Sequence, residues 1–341
     1  MRVTLRDIAE KAGVSASTVS RVLNGKPDAR VTDATRQTIL DAAEDLGYSP
    51  NPFAQALKSG KSSLITLIAP QTEFLVSGRK VSRLRDAMYD LHRATLTVDI
   101  SRVGDPQRAV EVLLGTAPLA VVWLSPDWYD ERIDEVCRTL DEYETYVLLA
   151  DHQRELAPDV PCDAITFSRN HGSYLAVGHL IEQGCQRIGF IGLPAGGRIE
   201  GYREALGDSG IEREHVAMLE GEDVAAEAVD AVRRLLRDAP EVDGIFCYSD
   251  LIAASVLRAL VEDGVRVPEE VALVGFDNDP WTAYLDVPLT TVAHPIERLC
   301  AEAIRMLRTR LDGDAGPWRR VTLSPELVVR RSSQRRAAGR P

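Results

Sequence analysis

In the first sixty residues the apolar positions recur at helical spacing. Leu5, Ile8, Ala9 and Ala12 share one face of a helix, and Val19, Val22 and Leu23 share one face of a second. Thr4 can cap the first helix with Asp7 answering it three residues on, and Gly13 ends that helix because glycine accepts positive φ. Ser15 can cap the second. Val14, just before that cap, pairs with Val19 as a hydrophobic staple and sets the angle at which the chain leaves the turn. A third helix fits Thr32 to Leu46, with Ile39, Ala43 and Leu46 as its apolar stripe and Gly47 as its stop. Asn51 as cap, Pro52 at the first helical position and Gly60 as stop bound a two-turn helix, too short to persist without a partner.

Beyond Lys61 the pattern changes to short apolar runs alternating with amphipathic stretches. Strands are expected at 63–70, 96–100, 119–124, 146–150, 164–167, 187–192, 244–248 and 271–276, with helices between most of them. That alternation predicts parallel sheets covered by helices.

The two helices joined at Gly13 have the form of a helix-turn-helix, with the second helix presenting Ala16, Ser17, Ser20 and Arg21 outward to base edges. In that position Arg21 can make a bidentate contact to guanine O6 and N7, Ser17 can bond a base edge, and Ala16 can pack on a thymine methyl. An arginine without that placement would only hold phosphate. A net charge of −12 on 341 residues looks wrong for a nucleic-acid binder, but residues 1–62 hold nine Lys/Arg against seven Asp/Glu, so the remainder carries −14. Phosphate attraction must come from a local face, and the acidic remainder limits indiscriminate binding. The five cysteines, Cys137, Cys162, Cys185, Cys247 and Cys300, lack CxxC spacing and read as reduced buried residues. With neither a metal-spaced His cluster nor a Gly-rich phosphate loop, no metal and no cofactor are expected. No apolar stretch reaches membrane-spanning length and no signal-peptide core opens the chain, so a cytoplasmic protein without membrane partners is expected.

Several longer patterns identify a relationship. Thr4-Leu-Arg-Asp-Ile-Ala, Ala12-Gly-Val-Ser15, Thr18-Val-Ser-Arg21-Val-Leu-Asn24, Leu46-Gly-Tyr48-x-Pro50-Asn51 and Ala54-Gln-x-Leu57 are followed by His179-Leu-Ile-Glu-Gln-Gly184-x-x-Arg187-Ile-Gly-Phe. Further on come Arg198-x-x-Gly201-Tyr, Val274-Gly-Phe-Asp277, Pro288-Leu-Thr-Thr-Val292 and Leu327-Val-Val-Arg330. With these the chain resembles transcription regulators of the lactose-repressor family over nearly its whole length. The resemblance implies an all-α helix-turn-helix headpiece (1–49), a hinge helix and linker (50–61), and an α/β two-lobed periplasmic-binding-protein-like body of parallel sheets flanked by helices (62–333). The lobes would comprise about 62–160 with 292–323, and about 161–291 with 324–333, the chain crossing near Val160, Val292 and Leu323; a basic tail (334–341) follows.

The function implied is that of a sequence-specific repressor. It would bind a palindromic operator in double-stranded DNA as a homodimer and be switched by a small-molecule effector in the cleft between the lobes, a sugar or glycoside ahead of a purine or other metabolite. Thr4, Ser15 and Asn24 would join the recognition residues at the DNA. Leu57 matches the family's minor-groove wedge, with Ala54 and Lys58 beside it, and two such leucines could open a pyrimidine–purine step and bend the duplex. In the cleft, Arg198 matches an effector-binding arginine and Asp277 an effector-binding aspartate, while Ser125, Asp151, Phe167, Ser249 and His294 align with cleft positions. Trp281 and Trp128, near strand ends, could stack on a sugar face. Each has a plainer alternative: an Asp after a strand also caps helices, and a tryptophan also fills cores. The chain departs from the family where Ser168-Arg169 replaces the common Asp-Asn, and in the segment Gln71 to Arg79. A sugar-binding protein would leave the N-terminal helices unused, and a sugar-active enzyme would need a convergent acid/base set that the pattern does not offer.

Overall fold

The computed structural model describes residues 3–23, 31–48, 64–69, 75–91, 93–99, 106–125, 132–194, 196–221 and 223–335, the side chains of 106–109 excepted. The chain divides into two compact units, Met1–Ser62 and Ser63–Pro341.

The first unit holds α1 (Leu5–Ala12), α2 (Ala16–Leu23) and α3 (Asp33–Asp45). Its local devices are those the pattern predicts. The Asp7 carboxylate accepts from the Thr4 amide at 2.7 Å and from the Thr4 hydroxyl at 2.8 Å. Gly13 turns the chain at φ +65°, with the Val14 amide donating back to the Ala9 carbonyl at 3.0 Å. Ser15 Oγ accepts from the Thr18 amide at 3.1 Å, and Thr32 Oγ1 from that of Thr35 at 3.2 Å. Ile8, Val19 and Ile39 are fully buried at the centre, and Val14 packs against their cluster. The span 50–61, with the expected hinge helix, lies outside the described residues.

The second unit contains two six-stranded sheets. The first joins β1 (Ile65–Ala69), β2 (Thr95–Asp99), β3 (Ala120–Leu124), β4 (Tyr146–Ala150), β5 (Asp163–Phe167) and β11 (Arg320–Leu323) in the order β11-β5-β4-β3-β1-β2, all parallel. The second joins β6 (Ile188–Gly192), β7 (His215–Met218), β8 (Gly244–Cys247), β9 (Ala272–Asp277), β10 (Thr290–Ala293) and β12 (Glu326–Val328) in the order β12-β10-β9-β8-β6-β7. Only the β10–β12 pair is antiparallel. Their central strands, buried on both faces, are continuous apolar runs, as parallel sheets under helices require.

The covering helices of the first sheet are α4 (Leu75–Tyr89), α5 (Pro106–Thr116), α6 (Ile133–Glu142) and α11 (Ile296–Leu311); those of the second are α7 (Arg169–Glu182), α8 (Arg198–Asp208), α9 (Val224–Asp238) and α10 (Asp250–Glu262). The chain therefore passes between sheets three times. It leaves β5 for α7 after Phe167, leaves β10 for α11 after Ala293, and leaves β11 for β12 after Leu323. The first passage corrects the expected crossing near Val160: β5 pairs with β4 and β11, so 163–167 belong to the first lobe. The strand is held there because the buried Asp163 carboxylate accepts from Arg310 and Arg319, both on first-lobe elements or their connection.

Candidate functional site

In both sheets the five leading strands follow the 2-1-3-4-5 order, whose ligand crevice lies at the carboxyl ends of the strands. Those ends carry the polar residues of the body. Ser125 follows β3, Asp151 follows β4, Phe167 ends β5, Asp277 ends β9 and His294 follows β10. Three of them take up positive φ, a conformation that L residues adopt only when their surroundings impose it: Ser125 at +51°, Asp151 at +58° and Asp277 at +114°.

Two carboxylates organise the site. The Asp151 carboxylate accepts from Lys80 Nζ at 2.6 Å, Arg169 Nη2 at 2.7 Å and Ser125 Oγ at 3.1 Å, all buried. Burial alone would raise its pKa, but Arg169 and Lys80 outweigh burial and hold it at about 2. The Asp277 carboxylate accepts from Arg198 Nη2 at 3.3 Å and from His294 Nε2 at 2.8 Å. Burial pushes this second carboxyl up to about 6 against the pull of Arg198. His294 is pushed well below its usual range by burial and by Lys80, Arg169 and Arg198, so its ring is neutral, Nε2 donates to Asp277, and Nδ1 is left as an acceptor.

Aromatic rings fix the cations. The Arg198 guanidinium lies between Tyr248 and Phe276, 4.0 and 4.2 Å from their ring centres. Arg169 lies 4.4 Å over Phe167, whose ring also meets the His294 ring at 4.3 Å and Lys80 Nζ at 5.7 Å. A guanidinium stacked in this way keeps its donors in one plane. Arg198 Nε, Tyr248 Oη and His294 Nδ1 are buried without a hydrogen-bond partner among the described residues. Beside this cluster opens a cavity of about 720 Å³, lined by Gln153, Arg154, Thr166 to Asn170, Gly196, Gly197 and Thr322. With its amide turned to satisfy both ends, Gln153 accepts from Arg169 Nη1 and donates to the Gly196 carbonyl, each at 3.2 Å.

Of the residues expected in the cleft, Ser125, Asp151, Phe167, Arg198, Asp277 and His294 thus belong to one connected cluster. Ser249 is the cap of α10, its hydroxyl accepting from the Ile252 amide at 3.3 Å. Trp281 sits half-buried in a 3-10 turn, Pro280–Tyr284. Trp128 lies outside the described residues. Sequence reasoning missed Lys80, Arg169 and Tyr248. Lys80 left a visible sign, because it stands in a buried stripe with Val76, Leu84 and Met88, where a charge needs a partner.

On the headpiece, Ser17 and Arg21 are exposed on α2. Ser15 and Thr4 are exposed, but their polar atoms serve as helix caps. Ala16 is half-buried against the core. Ser20 is buried, not outward-facing as expected, because it adjoins Val19 on the side of α2 turned to the small core. Asn24, Ala54, Leu57 and Lys58 lie outside the described residues.

The matches to known proteins run the same way. Residues 4–51 match the bacterial regulatory proteins of the lacI family, and residues 177–333 a periplasmic binding protein-like domain. The HTH-type transcriptional regulator CelR of Thermobifida fusca is 31% identical, over 97% of this chain and 98% of its own. The HTH-type transcriptional repressor PurR of Mannheimia succiniciproducens is 27% identical over 96% and 98%. Among solved structures, the Lac repressor dimer bound to operator and the anti-inducer ONPF superposes with a TM-score of 0.80 at 25% identity, over 98% of this chain and 99% of that one. A CelR–cellobiose complex superposes with a TM-score of 0.68 at 29% identity, over 97% and 100%. The chain belongs to the lacI family of bacterial regulatory proteins, DNA-binding transcription regulators with a helix-turn-helix headpiece and a periplasmic-binding-protein-like body.

Proposed function

We propose that this regulator is a repressor acting in the cytoplasm, binding a palindromic operator as a homodimer and responding to a small hydroxylated effector held between the two sheets. Ser17 and Arg21 read the major groove from the exposed face of α2. The effector reading rests on one observation: buried polar atoms lacking partners, on Arg198, Tyr248 and His294, gather where the chain passes between sheets, beside a cavity large enough for a sugar. Arg198 and Asp277 offer directional bonds to hydroxyls, while Phe167 and Tyr248 supply apolar faces. Because groups from both sheets would touch one ligand, its binding free energy depends on how the sheets stand to each other, which is the differential affinity a switch requires. Enzymatic turnover is not part of this reading.

The test is operator affinity with and without an effector found by ligand screening, in the parent chain and in Arg198→Ala. The variant should keep its operator affinity without ligand and lose the response. Retained ligand binding by Arg198→Ala would put the effector elsewhere.

A further inference from the structure

The charged members of the cavity wall among the described residues are Arg154 and Arg169. Behind the wall, Lys80 and Arg169 share the single carboxylate of Asp151, which holds the proton on Lys80 against the pull of burial, so with all three groups ionised this buried triad carries a net positive charge. The Arg198–Asp277 pair balances, and the neutral His294 adds nothing.

Two helices add to the same field. Ser168 caps α7 by accepting from the His171 amide at 3.1 Å, which leaves the first-turn amides of Arg169 and Asn170 facing the cavity end of that helix. Gly197, φ +73°, caps the start of α8 on the same wall. The helices lie backbone to backbone, since a Cβ on Gly201 would stand 2.1 Å from the Asn170 carbonyl oxygen, so their positive ends are side by side. A Cβ on Gly196 would come within 3.1 Å of Tyr248 Oη and 3.6 Å of Arg198 Nη1, so the cavity approaches the buried hydroxyl and guanidinium at the residue without a side chain. Both side chains are more than nine-tenths buried, and Tyr248 Oη and Arg198 Nε lack partners.

We propose that the effector of this regulator is an acidic sugar or similar polyol, whose carboxylate or phosphate sits at the paired starts of α7 and α8 against Arg169, with Arg154 at the rim. The inference rests on the effector reading and narrows it. A neutral sugar would satisfy the hydroxyl-binding groups and leave the triad's charge and both helix ends unanswered. An anionic group answers all three.

The experiment is calorimetric titration and thermal shift of the full chain with four probes: glucose, glucuronate, glucose 6-phosphate and inorganic phosphate. At least one acidic sugar should bind about tenfold or more tighter than glucose, with affinity falling as salt is raised. Glucuronate and glucose 6-phosphate distinguish carboxylate from phosphate, and inorganic phosphate reports the anion subsite alone. Arg154→Glu, an exposed change that leaves the buried cluster intact, should weaken the acidic probe and spare glucose. Arg169→Gln should weaken the acidic probe more strongly. Glucose binding as tightly as the acidic probes, or acidic binding indifferent to both variants, overturns the proposal, as does failure of every acidic probe to bind. Cleft binding of a neutral sugar that is lost in Arg198→Ala would sink the anion claim and leave the effector reading standing. Ligand binding unaffected by Arg198→Ala would sink the effector reading itself.

Discussion

Asp151 gives the sharpest test of how the cleft is held together. Its carboxylate lies 2.6 Å from Lys80 Nζ and 2.7 Å from Arg169 Nη2, and all three side chains are at least 94% removed from solvent. Asp151→Asn keeps the shape and removes the charge. Since the carboxyl is held at about 2 against an ordinary 3.8, the ionised form is favoured in the fold by about 2 kcal/mol, and Asn should cost about that much. Asp151→Ala also leaves two buried cations without their shared counter-charge, and should cost about 3–5 kcal/mol. Urea unfolding of each variant beside the parent chain measures both. The folded pKa is depressed, so this contribution is complete above 3.8 and disappears as pH falls toward about 2; the gap between parent and Asp151→Asn should be constant near neutrality and narrow only in that acid range. Adding Lys80→Met to Asp151→Asn should recover part of the loss, because one stranded charge is then removed. A cost below about 0.5 kcal/mol for Asn, or no recovery with Met, would refute the shared-carboxylate account.

Asp277 should behave with the opposite sign. Its carboxyl is raised from 3.8 to about 6 in the fold, so stability falls by up to about 3 kcal/mol as pH rises from 3.8 to 6, and Asp277→Asn should abolish that slope in urea titrations across the window. Gly201→Ala should destabilise by about 1–3 kcal/mol in thermal unfolding, because the added methyl meets the Asn170 backbone and not a movable side chain; an unchanged midpoint would contradict the close packing of α7 and α8. Arg21→Ala should cost about 1–3 kcal/mol on the best operator selected from random duplexes and relax preference at one guanine per half-site. Equal loss on every sequence would reduce Arg21 to a phosphate contact.

The headpiece was legible because its determinants are local. Caps at Thr4, Ser15 and Thr32, the positive φ of Gly13 and the spacing of Ile8, Val19 and Ile39 all act within a few residues or one small core. Ser20 was the exception, since four outward positions on a two-turn helix cannot be separated by periodicity when the core is so small. In the body, the buried central strands announced themselves as apolar runs, and the strands missed were those without such runs. β10 begins Thr290-Thr291, both fully buried, whose hydroxyls donate to the Arg330 carbonyl and the Asp250 carboxylate. β7, β11 and β12 are short edge strands, half-exposed or alternating.

What composition and periodicity cannot carry is a partnership between residues far apart in the chain. Asp151 meets Lys80 and Arg169, 71 and 18 positions away, and Asp277 meets Arg198, 79 away. The family resemblance supplied Arg198 and Asp277 because their motifs are local strings, whereas Lys80 and Arg169 stand where this chain departs from the family or where the resemblance is silent. The Ser168-Arg169 pair shows why such departures carry information. A serine there still caps α7, so the fold tolerates the change, while the arginine beside it places a cation on the cavity wall that must be balanced by Asp151. A substitution that preserves the cap and alters the charge of the wall leaves the architecture alone and acts on whatever the wall binds, which is why the residues that set ligand choice are the ones a family pattern predicts least well.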